Sequence, residues 1–355
     1  MITGNKGEWS ELYVFLKLLG EGKLNAGDSN MNAIDGLSFP VIEVKRNDNI
    51  YQRDNNKNKI NIVEEKTKKV LLSLPNDTFL EKATLLLEQI KKEVGTFNVR
   101  EIETFIKDIH VLSLKASSSK KADITVVLHD IFTMQNREFD FSIKSRLGSY
   151  ASLLNAGKTT NFIYKIDKKI EDIFTINNIS TLSKVKDKIL YLKKEHKLFF
   201  VGPESDVFDV NMQLIDSRFP EIISNMLLYY YEGMASSVKE LVELLNKNNP
   251  LAFNLKKNKS LYEYKVKKFL REIALGMLPS KEWSGDLDVT GGYIVVKETG
   301  DLICYHLYNM NDFEEYLFEN TKFDTPSTSK HDFGILYNEK NETFFKLNLQ
   351  IRFKK

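Results

Sequence analysis

The stretch EWSELYVFLKLLG, residues 8–20, places apolar side chains nearly all the way round a helix. At about 100° per residue, Trp9, Leu12, Tyr13, Val14, Phe15, Leu16, Leu18 and Leu19 leave only Ser10 and Lys17 on a polar stripe. A helix that is apolar on every side must be covered on every side, so the chain has to build layers around it. Asn5-Lys6-Gly7-Glu8 reads as a capping box at its start, and Gly20 as its stop. Glu11 is the awkward residue, because it falls between Phe15 and Leu18, away from the stripe. Burying a carboxylate without a cation is costly, so Glu11 is expected to face a lysine, an arginine or a metal.

The other elements follow from periodicity and turn residues. Two strands, PVIEVKRNDNIY and KINIVEE, are joined by the polar RDNNKNK. Two helical stretches fill residues 76–115, and SSSKK reads as a polar loop. Strands ADITVVL and EFDFSIKS follow. SYASLLNA reads as a short helix from Ser149 to a stop at Gly157, and residues 180–250 as largely helical. GGYIVVKETGDLICYHLY reads as a hairpin turning near Thr299-Gly300, and ETFFKLNLQIRF as one final strand. The class is therefore mixed α/β.

A chain of 355 residues suits one large or two ordinary domains. Lys+Arg number 51 against Asp+Glu 49, so any site for a polyanion must be a local patch. A lone cysteine, Cys304, excludes an internal disulfide and a cysteine-based zinc site, and fits a reducing, cytoplasmic setting. No apolar run reaches membrane-span length, and the N-terminus lacks the pattern of a signal peptide. The five histidines (110, 129, 196, 306 and 331) show no metal-binding spacing.

In FDFSIKSRLGS, Phe139, Phe141 and Ile143 alternate with Asp140, Ser142 and Lys144. An edge strand with a solvated face has this pattern, and so does a strand carrying a site. Pairing with DITVVL would bring Asp123 near Asp140, Ser142 and Lys144. Carboxylates on adjacent strand ends can hold a hard divalent ion, and a lysine beside them can orient or deprotonate a water. This constellation resembles the PD-(D/E)xK nuclease core in a form where Ser142-Ile143-Lys144 replaces acid-x-Lys. The chain departs from that pattern at Ala122, where the motif has proline, and in lacking the motif acid. Asn155 stands on the following segment, where some relatives carry that acid. KGEWSE, Lys6 to Glu11, is similar to the start of the archaeal junction resolvase branch, in which the glutamate joins the metal site. Asp140 is the next candidate for the absent acid.

Longer blocks, in order, resemble the HpaII-type restriction endonuclease family over nearly the whole chain. They are GNKGEWSELY, KADITV, FSIKSRLGS, LLNAGKTTNFIYKI, FPEII, GGYIVVKETGDLICYHLY, YLFENTKFDTPSTSKH and LNLQIRF. The resemblance implies a restriction-endonuclease-like core, a mixed central sheet flanked by helices, with a C-terminal α+β region. The core would span 1–200, with an inserted hairpin and helices at about 35–115, and residues 201–355 would contribute to DNA recognition. The implied activity is Mg²⁺-dependent cleavage of double-stranded DNA at a short specific sequence, in the cytoplasm. A homodimer or paired subunit, and a companion DNA methyltransferase, are implied with it. Asp123, Lys144, Ser142 and Glu11 would be the catalytic group, with Asp123, Glu11 and then Asp140 as metal ligands. Two hydroxyl-rich and basic segments would meet DNA: Ser145, Arg146, Asn155, Lys158, Thr159, Thr160 and Asn161, and Ser327, Thr328, Ser329, Lys330 and His331. A nicking subunit, a junction resolvase or a DNA-binding protein with a dead site is the rival reading.

Three look-alikes compete with these residues. Glu43-Val44-Lys45 is a literal acid-x-Lys with Asp35 upstream, but no strand is expected before Asp35. AGKTT ends like a phosphate-binding loop but has Ser152 where the first glycine belongs. Lys297 has Val295 in the place of the acid.

Overall fold

The computed structural model describes residues 2–114, 122–131 and 133–354. The N-terminal helix runs Lys6–Glu21 with the expected capping box: Glu8 N donates to Asn5 Oδ1 at 3.1 Å, and Asn5 N to Glu8 Oε2 at 2.8 Å. Its stop is Gly22, left-handed at φ 72°, and not Gly20. Gly20 serves close approach, since a Cβ there would stand 2.5 Å from Leu80 Cγ. The helix is buried from Trp9 to Gly20 except at Glu11 and Lys17, and Ser10 is buried too. The polar stripe expected of Ser10 is therefore absent.

The chain forms two compact units, residues 1–151 with 287–316, and residues 152–286 with 317–355. In the first unit a nine-stranded mixed sheet runs in the order Lys23–Gly27, Leu302–His306, Gly292–Val296, Gln135–Ser145, Ile124–Asp130, Ala33–Arg46, Asn49–Asp54, Lys59–Glu64 and Val70–Pro75. Gly292–Val296 lies parallel to Gln135–Ser145, and Ile124–Asp130 lies antiparallel on its other side. The N-terminal helix and the helix Asn76–Lys92 pack together, and their apolar side chains join Ile124, Val126, Phe141 and Ile143 in one core.

Some elements differ from expectation. PVIEVKRNDNIY is two strands, broken where Asn47 and Asp48 both take positive φ, a conformation these residues tolerate. Val70–Pro75 is a strand the sequence did not announce. The helices over 76–115 form at Asn76–Lys92 and Arg100–Asp108, while SSSKK lies outside the described residues. The hairpin at Gly300 forms as expected.

In the second unit SYASLLNA is not a helix. Ser152–Leu154 is a short strand that pairs with Ile351–Phe353 and buries Leu153 and Leu154. ETFFKLNLQIRF is likewise two strands. Glu342–Asn348 joins a four-stranded antiparallel sheet with Leu198–Pro203, Asn161–Ile166 and Leu336–Glu339, and Ile351–Phe353 joins a three-stranded one. Helices Lys184–Glu195, Asp206–Ile215, Phe219–Tyr231, Val238–Asn248 and Leu261–Leu275 complete this unit. Among the described residues no helix is long and apolar enough to cross a membrane.

Candidate active site

The polar row of FDFSIKSRLGS does not line a solvated edge, because Gln135–Ser145 is the fourth of nine strands and has a neighbour on each side. Alternation sends Phe141 and Ile143 into the core, and therefore sends Ser142 and Lys144 to the other face. The antiparallel register sets Thr125 opposite Asp140 and Ile124 opposite Phe141, and Asp123 N closes the ladder on Phe141 O at 2.8 Å. Asp123 thus arrives beside Ser142. Its Oδ2 accepts from Ser142 Oγ at 3.0 Å and from Ile143 N at 2.7 Å. Lys144 Nζ donates to Ser142 Oγ at 3.0 Å. Asp123, Ser142 and Lys144 form one hydrogen-bonded chain.

The parallel strand supplies a residue the sequence reading missed. Tyr293 pairs with Ser142, and its buried ring centroid lies 5.0 Å from Lys144 Nζ. A cation over an aromatic face is held without an acceptor. Burial lowers the Lys144 pKa, against the opposing pull of the Asp123 and Glu11 carboxylates.

Glu11 is half-buried, not buried, and its charge acts on two cations, Lys144 and Arg46. Arg46 was also missed. It is buried and donates to the carbonyls of Ser113, at 2.9 Å, and Leu114. Its guanidinium lies 5.4 Å from the Phe15 ring, and burial lowers its pKa. Nothing in the strand pattern marked it, since an arginine ending a strand normally reaches solvent. Asp140 shares the face of Ser142 and accepts from Thr125 Oγ1 at 2.6 Å.

Among the described residues no three or more His, Cys, Asp or Glu side chains gather as a metal cluster. A site built from one or two carboxylates with several waters still suits Mg²⁺. Asp123 and Glu11 fit such a sparse set, since both carboxylates act on the same lysine.

The acid-x-Lys look-alike is taken up elsewhere. Lys45 pairs with Glu138 at 2.5 Å and Glu65 at 3.5 Å, and Glu43 accepts from Gln52 Nε2 at 3.0 Å.

The residues expected to meet DNA divide. Ser145 Oγ accepts from Ser10 Oγ, and Arg146 Nη1 reaches Met31 Sδ at 3.0 Å. Thr160 and Asn161 are buried. Thr160 closes the turn at Gly157, and Asn161 Nδ2 donates to Glu204 Oε2 at 2.7 Å and His331 O at 2.9 Å. Asn155 and Lys158 are exposed, and Thr159 is half-exposed. Ser327 caps the short helix Thr328–His331, which carries Ser329 and Lys330 on the surface.

Residues 5–353 match the family model described as HpaII restriction endonuclease. The chain is 45% identical to the type II restriction enzyme HpaII of Haemophilus parainfluenzae, over 99% of this chain and 98% of that protein. No solved structure matches. Type II restriction endonucleases generally use divalent metal ions. With Asp123, Ser142 and Lys144 joined inside a sequence related to that enzyme from end to end, the chain belongs to the HpaII restriction endonuclease family of type II site-specific deoxyribonucleases.

Proposed function

We propose that this restriction endonuclease hydrolyses both strands of duplex DNA at a short specific sequence with Mg²⁺, using Asp123, Ser142, Lys144 and Glu11. The observation that carries the reading is the contact chain Asp123–Ser142–Lys144 on two adjacent strands. The mixed sheet with packed helices supports a restriction-endonuclease-like core in the first unit. Recognition of DNA is assigned largely to the second unit.

Asp123 and Glu11 would hold the ion, with Asp140 as reserve. Bound Mg²⁺ supplies Lewis-acid polarisation of the scissile phosphate and a more acidic water. Lys144 does the work of the chain itself. Burial lowers its pKa, and its Nζ orients the attacking water. Ser142 Oγ ties the lysine to Asp123, and the Tyr293 ring restrains it from the other side. Cutting both strands of a symmetric site needs two active sites, so two subunits act together. The setting is the cytoplasm, beside a companion methyltransferase that protects the host's own sites.

Incubation of long duplex DNA with the chain and Mg²⁺ tests this. Discrete fragments with one shared end sequence are expected. Nicked circles alone would make the chain a nicking subunit. Cleavage of branched DNA only would make it a junction resolvase, and binding without cleavage a dead-site binder.

A further inference from the structure

A groove of about 560 Å³ opens wholly within the second unit. One wall is the start of the helix Lys184–Glu195, with Ser183, Lys184 and Lys186, and the other is Thr325 to Ser329. Tyr230 lies between them, its hydroxyl 2.8 Å from Thr325 Oγ1.

The charges of this groove are one-sided. Its lining holds two lysines and no carboxylate, although Asp and Glu number 49 in the chain. Neighbouring acids are engaged elsewhere: Asp324 with Arg352 at 3.1 Å, Glu232 with Lys193 at 2.8 Å, and Asp187 with the Thr181 hydroxyl at 2.5 Å. Among the described residues neither Lys184 nor Lys186 makes an ion pair. Gly233 makes room for the second lysine, since a Cβ there would stand 2.7 Å from Lys186 Nζ. Hydroxyls of Ser183, Thr325, Ser327, Thr328 and Ser329 add neutral donors, the usual partners of phosphate oxygens beside lysine.

We propose that this groove grips the phosphodiester backbone of the duplex substrate, with Lys184 and Lys186 as the phosphate contacts. The proposal rests on the DNA-cleaving reading and adds residues to it. It moves the basic contacts of the DTPSTSKH segment from Lys330 and His331, which do not line the groove, to the facing helix.

The test is equilibrium binding of a labelled duplex to the full chain in EDTA, over a salt titration. Each phosphate contact contributes about 0.9 to the slope of log K against log salt. Replacing both residues (Lys184→Ala with Lys186→Ala) should lower the slope by about 1.8, and the pair of Arg replacements should restore it. Thermal melting checks that the variants fold, and Gln replacements serve if the Ala pair melts early. An unchanged slope and affinity overturns the groove while leaving cleavage intact. Stabilisation of the wild type by inorganic phosphate, with no change in the DNA slope of the variant, gives the groove to a small anion and also overturns it. A wild type that neither binds nor cuts duplex DNA overturns the functional reading itself.

Discussion

Ser10 Oγ donates a 2.8 Å hydrogen bond to Ser145 Oγ, joining the N-terminal helix to the end of the strand that carries Ser142 and Lys144. The two serines are 135 positions apart. Leu147 N also donates to Ser145 Oγ, at 3.2 Å, so one hydroxyl fixes the helix and the exit of the strand. Glu11 follows Ser10 directly, on the helix that this contact ties to the strand of Lys144.

Ser10→Ala should lower stability by about 1 kcal/mol, the usual net value of such a bond. It should also slow cleavage severalfold by loosening Glu11. Urea midpoints and single-turnover rates measure the two effects. A loss of stability at wild-type rate would limit this contact to holding the fold.

Much of this site could be read from residue order, because alternation in FDFSIKS and DITVVL fixes which side chains share a face. The pairing of the two strands then brings Asp123 to Ser142. What could not be read was supplied by distant segments. Tyr293 reaches Lys144 only through a parallel pairing with Ser142 across 151 positions (293 − 142), and Arg46 turns inward through carbonyls at Ser113 and Leu114. The burial of Thr160 and Asn161 was hidden for the opposite reason. Thr and Asn after a glycine look like a loop surface, yet Asn161 begins a strand and its amide is consumed by Glu204 and a backbone carbonyl. SYASLLNA misled because its two leucines suit a helix and a strand equally, and pairing with Ile351–Phe353 decided between them.

Lys144→Ala should abolish cleavage, by at least about a hundredfold on the scale of a lost proton-transfer group, while binding of the duplex survives. Lys45→Ala should keep wild-type activity, since Lys45 is paired to Glu138 and Glu65. Active Lys144→Ala with dead Lys45→Ala would move the active site to Glu43-Val44-Lys45.

His306 should make the fold sensitive to acid. It is 2% exposed, with ring centroids of Phe139 at 4.6 Å and Tyr308 at 4.4 Å. Its Nδ1 accepts from Tyr308 N at 3.1 Å, so the folded state holds the neutral ring. Burial lowers its pKa from 6.5 to about 4, against the charge of Asp130. Above pH 6.5 the ring is neutral whether folded or unfolded and contributes no pH dependence. As pH falls from 6.5 toward 4 the unfolded chain binds the proton first, and stability declines by about 3 kcal/mol. His306→Phe loses the acceptor for Tyr308 N, which lowers stability at every pH, but should flatten the slope in that window. Equal slopes for the two proteins in urea titrations would contradict a neutral buried His306.

The position of Glu11 offers the sharpest test of the metal-site reading. The strand Gln135–Ser145 carries Ser142 in the place of the acid in the nuclease motif that it resembles, and Asn155 downstream is not a carboxylate. Glu11 is half-buried, and its charge falls on Lys144 and Arg46. Two cations satisfy the electrostatic need created by its burial even before any metal binds, which makes a structural role a real competitor. The two roles differ in what Glu11→Gln does. This change keeps the shape and removes the charge. If Glu11 only neutralises Arg46, the variant should lose stability, because the buried guanidinium loses the charge of Glu11. Once folded, it should then cut with the wild-type dependence on Mg²⁺ concentration. If Glu11 helps hold the ion, cleavage should fall at least about tenfold, and the Mg²⁺ concentration for half-maximal rate should rise on the same scale. We expect the second result, with duplex binding in EDTA unchanged. Glu11→Gln cutting at the wild-type rate across a Mg²⁺ titration would reduce the helix to scaffolding and pass the role to Asp140, on the face of Ser142.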